Sequence, residues 1–208
     1  MGNSAQFQFI SGTREFLPEY FQSSSVLEVG SLNINGSIRD FFTECQYIGL
    51  DLGEGQGVDL VCPGQDYGEK AGRFDVVASC ECMQHNPRWR ETWINMLRLL
   101  KPDGLMLMTC ATAGRRQHST EQFSNDLSPF KLSIGQNYYR NLLKEDFEAI
   151  IVHSGWFSHH EFLTDHFHND LLFYGLGIGV SLETLEKAQN LSRAFQEFYV
   201  NRNMLGLY

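Results

Sequence analysis

The chain contains five short apolar segments, rich in β-branched residues and separated by stretches that are typical of helices or turns. They occupy residues 26–29, 47–51, 58–61, 74–78 and 105–110. Each segment is apolar throughout, and does not alternate between apolar and polar residues. Continuous apolarity indicates strands that are covered on both faces, which is the condition of a parallel sheet flanked by helices. The sequence therefore predicts an α/β fold.

The connecting segments support this prediction. Residues 89–100 carry apolar side chains at helical spacing, and residues 101–104, Lys-Pro-Asp-Gly, predict a turn that ends the helix. Ser37 is a cap in front of Ile38, Phe41 and Phe42, so a second helix is expected there. The segment between the third and fourth strands has room for only one or two helical turns.

The C-terminal third predicts a helix at 142–153, strands at 159–164 and 171–177, and a closing helix at 182–201. The two strands are joined by too few residues for a parallel crossover, so we expect them to be antiparallel. The apolar stripe of the closing helix can cover the core or pair two chains. We interpret it as part of the core and expect a monomer or a homodimer.

Composition limits the partners of the chain. The 208 residues show no repeat or low-complexity linker, so we expect one domain over residues 1–208. The 16 basic and 25 acidic residues give a net charge of −9, which disfavours duplex nucleic acid and anionic membranes as partners. The apolar runs are too short to span a bilayer. Five scattered cysteines and the absence of an export signal are typical of reduced thiols in the cytoplasm.

The first strand ends in a pattern that is typical of a nucleoside site. Glu28, Gly30 and Ser31 close that strand, and Asp51 closes the next one. A glycine lets a ligand approach the backbone, and an acid at the tip of the second strand can accept hydrogen bonds from both ribose hydroxyls. By spacing alone, the ligand could be NAD, FAD or S-adenosylmethionine.

The loop after this strand separates these ligands. A dinucleotide fold binds pyrophosphate on a glycine-rich turn, whereas Leu32 and Ile34 stand here where further glycines would fall, and the later glycine is Gly36. This disfavours a dinucleotide. Glu28 instead suits a ligand that carries an ammonium and a sulfonium.

Over about residues 24–180 the chain resembles the class I S-adenosylmethionine-dependent methyltransferases of the small type 11 methyltransferase-domain group. The resemblance is carried by residues 26–31, 47–51, 74–79 leading to 85–87, and 99–104. It implies a Rossmann-like three-layer sandwich, whose seven-stranded sheet is mostly parallel and has an antiparallel last strand.

The resemblance also implies the residues that bind the cofactor, S-adenosylmethionine, and its product S-adenosylhomocysteine. Those expected at the methionine part are Glu28, Gly30 and Ser31. Those expected at the ribose and adenine are Asp51, Leu52, Gly64, Gln65 and Asp66, and those expected to close the pocket are Ser79 and Cys80.

Three residues are candidates for removing a proton from the methyl acceptor: His85, His118 and Tyr139. His85 follows the fourth strand, where such pockets meet the acceptor, although it could equally fix the loop before Pro87. His118 and Tyr139 belong to a long polar segment after the fifth strand, which could form a lid or a solvated loop. Glu81 could assist as an acid or a base, but we interpret it as an exposed loop carboxylate.

Five of the seven histidines fall between residues 153 and 168. They lack a recognised zinc spacing, and adjacent residues of a strand point to opposite faces. We interpret them as surface histidines and predict no metal.

The sequence predicts a methyltransferase whose acceptor is a small metabolite, a sugar or a protein side chain. The acidic charge and the absence of an Asn-Pro-Pro-Tyr motif disfavour the amino groups of DNA bases. Two alternatives remain: a non-catalytic Rossmann-like binding domain, and an NAD(P)-dependent oxidoreductase.

Overall fold

The structure, a computed structural model, describes residues 3–120, 122, 129–135, 137–152 and 155–205. Seven strands form one sheet: β1 (Ser25–Val29), β2 (Gln46–Asp51), β3 (Leu60–Val61), β4 (Phe74–Cys80), β5 (Leu100–Ala111), β6 (Phe157–Asp165) and β7 (Asp170–Gly177). Their order is β3-β2-β1-β4-β5-β7-β6. The first five pair in parallel, and β7 runs antiparallel to both β5 and β6. The predicted mostly parallel sheet is confirmed.

Five α-helices are present in the described part of the chain. They are α1 (Ser4–Phe16), α2 (Trp89–Leu99), α3 (Pro129–Ile134), α4 (Lys144–Ile151) and α5 (Leu182–Leu205). The predictions of α2, α4 and α5 are confirmed, although α4 is shorter than expected and α5 is longer. No described helix has the length and apolar character needed to cross a membrane.

The predicted helix after Ser37 is wrong. The chain forms only a 3-10 turn, Ile38–Phe41, with Ser37 Oγ accepting a hydrogen bond from Arg39 N at 3.1 Å. The turn ends because the next residues pair with another segment. The Phe42 ring stacks on Phe21 at 4.7 Å, and Thr43 N donates to Phe21 O at 2.9 Å.

Helix α1, which was not predicted from the sequence, lies with α5 on one face of the sheet. Asn3 Oδ1 caps it by accepting hydrogen bonds from Ala5 N and Gln6 N. Its apolar side packs on α5: the rings of Phe9 and Phe195 lie 5.4 Å apart, and Tyr199 Oη donates to Ala5 O at 3.1 Å. The apolar stripe of α5 therefore belongs to the core.

The opposite face of the sheet is covered by α2 and α4. Trp93 of α2 is fully buried, with Phe147 of α4 at 4.8 Å and Phe173 of β7 at 5.2 Å between ring centroids. With α1 and α5 on the other face, the three layers predicted from the sequence are all present.

Two strands differ locally from the prediction. Residues 101–104 do not form the predicted turn before β5, and instead form a bulge within β5. Phe74 pairs with Leu100 and Val76 with Leu105, so the four residues between Leu100 and Leu105 face only one residue of β4. The bulge is held by Lys101 Nζ, which lies 2.6 Å from Asp75 Oδ1. Strand β3 starts late because Val58 N closes a turn onto Gly55 O at 3.1 Å.

The packing of α1 on α5 predicts a large loss of stability when its central ring is removed. Phe9 has no exposed surface. Replacing Phe9 by Ala should lower the free energy of unfolding by about 3–5 kcal/mol, because it leaves a cavity between the helices. Chemical denaturation measures the change. Phe198→Ala is the control, since this ring is 38% exposed and should matter much less. Equal losses in the two variants would contradict the described packing.

Candidate active site

A cavity of 660 Å³ lies at the carboxyl ends of β1, β2 and β4. This edge is where parallel α/β sheets bind their ligands, and the size is typical of a small-molecule site. Nine of the predicted site residues line the cavity: Gly30, Asp51, Leu52, Gly64, Gln65, Asp66, Cys80, His85 and His118. Glu28, Ser31, Ser79 and Tyr139 are not part of the lining.

Gly30 is required by both conformation and space. Its φ angle is +84°, which side chains of L-residues rarely adopt. A Cβ atom built there would lie 2.4 Å from Cys82 Cβ and 2.7 Å from Cys82 Sγ. The chain after β4 can therefore approach the end of β1 only because residue 30 is glycine.

Asp51 presents a carboxylate that is anchored but not saturated. Oδ2 accepts a hydrogen bond from Leu32 N at 3.0 Å, and Oδ1 accepts one from Leu52 N at 2.7 Å. The backbone amide of Gly53 also interacts with the carboxylate, which lines the cavity and can still accept hydrogen bonds from the hydroxyls of a ligand. Burial raises the pKa of Asp51 and outweighs these backbone bonds, which lower it.

The loop after β1 offers little to a pyrophosphate. Leu32 and Ile34 line the cavity. Asn33 Oδ1 accepts a hydrogen bond from Gly36 N at 2.9 Å, so the loop turns on itself. Within residues 31–42 it leads into the 3-10 turn, with no α-helix whose N-terminus could bind an anion. This geometry disfavours the dinucleotide alternative.

The turn Gly64–Asp66 forms another wall and is fixed by α2. Asn95 Nδ2 donates to Gly64 O at 2.7 Å, and Thr92 Oγ1 donates to Gln65 Oε1 at 2.8 Å. A Cβ atom on Gly64 would lie 2.5 Å from Val29 Cγ1. The backbone of this turn is thus held close to the end of β1, on the same side as Leu52.

Glu28 lies away from the cavity. Its carboxylate accepts a hydrogen bond from Tyr47 Oη at 2.7 Å. Burial raises the pKa of Glu28 to about 7, and the Tyr47 bond lowers it by less. Ser31 packs on Gly49, where its Oγ would lie 2.6 Å from an added Cβ.

The three predicted proton acceptors come together in one aromatic cluster. The ring centroids of His85 and His118 lie 5.0 Å apart, those of His85 and Tyr139 5.4 Å, and those of His118 and Tyr139 4.9 Å. Burial, with a smaller contribution from the neighbouring imidazole of His118, lowers the pKa of His85 to about 3, and burial also lowers the pKa of His118. Both imidazoles are therefore neutral at physiological pH, and His85 is a weak base.

Glu81 lines the cavity with only 15% of its side chain exposed, so its interpretation as an exposed loop carboxylate is wrong. Its φ angle is +57°, and it follows the last residue of β4. Burial and the nearby charge of Asp170 raise the pKa of Glu81 to about 7, while Arg115 lowers it by less. The sequence signal was its place directly after Cys80, at the carboxyl end of a strand.

Arg115 connects this wall to β7. Its Nη1 donates to Asp170 Oδ1 at 2.8 Å and to His168 O at 2.6 Å, and its Nη2 lies 3.9 Å from Glu81 Oε2. Asp170 Oδ2 also accepts hydrogen bonds from Asn3 Nδ2 and, at 3.0 Å, from Gln6 Nε2. The start of α1 is therefore tied to the base of the cavity.

One group of described residues has ligand atoms close enough for a metal ion: those of Asp165, His168 and Asp170 lie within 4.8 Å of one another. These atoms already contact one another or a cation, since Arg115 Nη1 donates to Asp170 Oδ1 and His168 Nδ1 lies 2.6 Å from Asp165 Oδ2. The arrangement disfavours a metal at this position.

The surface interpretation of the histidines holds for only part of the group. His159 is half-buried and lies 3.0 Å from Tyr174 Oη and 2.9 Å from Ser192 Oγ, so it belongs to a polar contact between β6 and α5. His160 is half-buried against Phe173. His166 is exposed, and His153 lies outside the described residues.

Comparisons with known proteins agree with this geometry. Residues 45–108 match the family model of a methyltransferase domain. The protein has the class I methyltransferase fold. The match confirms the predicted resemblance over the part of the chain that carries β2, β4 and most of β5. No curated protein matches the sequence.

Solved structures share the fold at low sequence identity. One is the 1,6-didemethyltoxoflavin-N1-methyltransferase of Burkholderia thailandensis, with a TM-score of 0.58, 16% identity, and coverage of 84% of this chain and 78% of that one. Another is the phosphoethanolamine N-methyltransferase 2 of Haemonchus contortus, with a TM-score of 0.59 and 20% identity over 82% of this chain. This chain spans 52% of the Haemonchus enzyme.

The burial of Glu28 predicts that stability falls as pH rises. Its folded-state pKa of about 7 exceeds the ordinary value of 4.5, so the folded state binds more protons than the unfolded state between these values. The contribution is complete below pH 4.5 and is lost as pH rises through 7. Glu28→Gln should therefore stabilise the protein at pH 8 by on the order of 1–3 kcal/mol.

Denaturant unfolding at pH 5 and pH 8 measures this effect, with the exposed Glu186→Gln as the matched control. The Glu28 variant should show a weaker pH dependence than the control, and the part that remains comes from groups such as Glu81, whose pKa is also raised. If the Glu28 variant is no more stable than the wild type at pH 8, ionisation of the buried Glu28 does not destabilise the protein, and this prediction is wrong.

Proposed function

We propose that the protein transfers a methyl group from S-adenosylmethionine to a small polar molecule bound in the same cavity. The observation that carries the proposal is Asp51, whose anchored carboxylate has lone pairs available for a ribose beside the close backbone approach at Gly30. The methyltransferase-domain match supports the reaction class. The Burkholderia structure holds S-adenosylhomocysteine, and the Haemonchus structure holds S-adenosylmethionine.

The residues present fit this cofactor. Asp51 would bind the ribose, and Leu52 with the turn Gly64–Asp66 would surround the adenine. Gly30 would let the methionine part approach the backbone. Asp51 and Glu81 both line the cavity, and their carboxylates favour a ligand that carries positive charge. Bound S-adenosylmethionine supplies a methyl group on a positively charged sulfur, so the protein mainly provides alignment and a dry pocket.

The acceptor would lie at the opposite end of the cavity from Leu52. There Glu81, Arg115, His85 and His118 present polar groups from the ends of β4 and β5. This end lies inside a cavity whose dimensions suit a small molecule better than a folded protein surface. Among the three predicted acceptor classes, a small metabolite or a sugar therefore fits best.

Helix α3, which belongs to the segment after β5, would act as a lid over the cavity. Pro129 and Ile134 of α3 line the cavity, and Ser133 Oγ donates a hydrogen bond to Leu52 O at 2.8 Å. Residues that follow β5 therefore reach across to the end of β2. Such a cover would exclude water from the reacting groups.

The cytoplasmic location and the monomeric or homodimeric state stay predictions. All five cysteines, which fall within the described ranges, are free thiols, and Cys80 and Cys110 are buried. Free buried thiols are in keeping with a reducing compartment.

The ribose assignment predicts the effect of one substitution. Calorimetric titration with S-adenosylhomocysteine should show micromolar binding to the wild type, and Asp51→Ala should weaken it at least tenfold, about 1.4 kcal/mol, because the ribose hydroxyls lose their acceptor. Asp40→Ala is the control, since this exposed carboxylate lies outside the cavity. NAD, titrated in parallel, should not bind.

Unchanged affinity in the Asp51 variant would overturn the ribose assignment. A folded wild type that binds neither compound would overturn the proposed function and favour the non-catalytic alternative. Binding of NAD alone would favour an oxidoreductase.

A further inference from the structure

We infer that Glu81 holds the proton-bearing nucleophile of the acceptor, a hydroxyl or an amine, and accepts its proton during methyl transfer. The inference rests on the proposed function and deepens it. It assigns the proton acceptor to a carboxylate in place of the histidines and tyrosine that the sequence favoured.

The backbone places Glu81 in the cavity wall. Its amide N donates to Thr109 O of β5 at 2.9 Å, which extends the pairing of β4 and β5 by one residue. The left-handed φ of +57° then interrupts the strand geometry at this point. Such a conformation is uncommon for a glutamate and persists only where the surrounding structure holds it. Strained residues of this kind cluster at functional sites.

The two oxygens of the Glu81 carboxylate differ in their hydrogen bonds. Oε2 accepts a hydrogen bond from Gln84 Nε2 at 3.2 Å and lies 3.9 Å from Arg115 Nη2. Oε1 is buried, and no hydrogen bond of ordinary geometry reaches it from the described residues, although the side-chain amide of Gln6 interacts with the carboxylate and lowers its pKa. Leaving a buried oxygen without a hydrogen bond costs free energy, so a ligand that donates to it recovers that free energy.

The surrounding charges leave Glu81 partly uncompensated. Arg115 is shared with Asp170, to which it lies closer, at 2.8 Å against 3.9 Å. Within the described ranges, the guanidinium of Arg115 thus interacts with two carboxylates, those of Asp170 and Glu81. This balance favours a neutral or cationic acceptor and disfavours an anionic one.

The other candidates are weaker proton acceptors. The pKa of His85 is lowered to about 3, and that of Glu81 is raised to about 7. A general base is most effective when its pKa lies near the working pH. The His85, His118 and Tyr139 rings then form an aromatic wall that orients the acceptor.

The step balances as follows. The acceptor oxygen or nitrogen forms a bond to the methyl carbon, and the bond from that carbon to sulfur breaks with its electron pair remaining on sulfur. The proton of the nucleophile passes to Glu81 Oε1. It leaves for solvent after the methylated product departs, which restores the carboxylate.

Sinefungin tests the inference without an acceptor. This analogue of S-adenosylmethionine carries a protonated amine where the transferable methyl group would lie. If Glu81 faces that point, wild-type protein at pH 8 should bind sinefungin more tightly than S-adenosylhomocysteine. By calorimetry, Glu81→Gln should weaken sinefungin binding about fivefold or more, while binding of S-adenosylhomocysteine changes less than about twofold. Glu145→Gln, an exposed carboxylate outside the cavity, should change neither.

The pH dependence of the wild type gives a second readout. Among the described residues, the groups that interact with Glu81 are Arg115 after β5, Asp170 on β7 and the Gln6 amide on α1. The thiol of Cys110 and the hydroxyl of Tyr139 also lie within reach of its charge. Glu81 and Asp170 interact, so their titration belongs to the pair. Ionised Glu81 predominates above pH 7, so the preference for sinefungin should be present at pH 8 and shrink by pH 5.5. It should be flat in Glu81→Gln.

The outcomes separate the two proposals. If the wild type fails to bind S-adenosylhomocysteine, the proposed function itself fails. If it binds that compound but the preference for sinefungin is the same in wild type and Glu81→Gln, the inference about Glu81 fails alone. Should Glu81→Gln not fold, a pH-independent preference in the wild type would overturn the inference.

Discussion

The parallel pairing of β1 with both β2 and β4 is the constraint on which the rest of the site depends. Val29 pairs with Leu50, and Glu28 pairs with Ala78, so the three strands end at the same edge of the sheet. Gly30, Asp51 and Glu81 each fall within one residue of a strand end, at this edge. The cavity forms because the carboxyl ends of these three parallel strands meet there. A glycine follows β1, an aspartate ends β2 and a glutamate follows β4.

The absence of a side chain at Gly30 lets the segment after β4 lie close to the end of β1. Because residue 30 has no side chain, Cys82 can lie against the end of β1. The chain after β4 is then held beside Asp51, which anchors the neighbouring loop through Leu32 N. A ligand that spans the cavity can therefore contact β2 at one end and the residues after β4 at the other. This is the geometry that two reacting molecules in one pocket require.

Much of this arrangement could be predicted because its signals are local. Continuous apolarity defined the strands, and Gly30 and Asp51 stand where a strand ends. The missed features depend on distant partners. Helix α1 is stabilised by α5 at the other end of the chain, and Glu81 is buried by Arg115 and Asp170, which belong to later elements. The segment after Ser37 has helical spacing, but its pairing with Phe21 limits it to one turn.

A contact between residues distant in sequence also connects helix α1 to the cavity. Asn3 caps α1 and also donates to Asp170, so one side chain connects the start of the chain to the base of the cavity. The most direct test of the account is a crystal structure of the protein with S-adenosylhomocysteine. The account predicts both ribose hydroxyls within hydrogen-bond distance of Asp51, with the sulfur facing Glu81. A ribose bound elsewhere, or a sulfur facing away from Glu81, would contradict it.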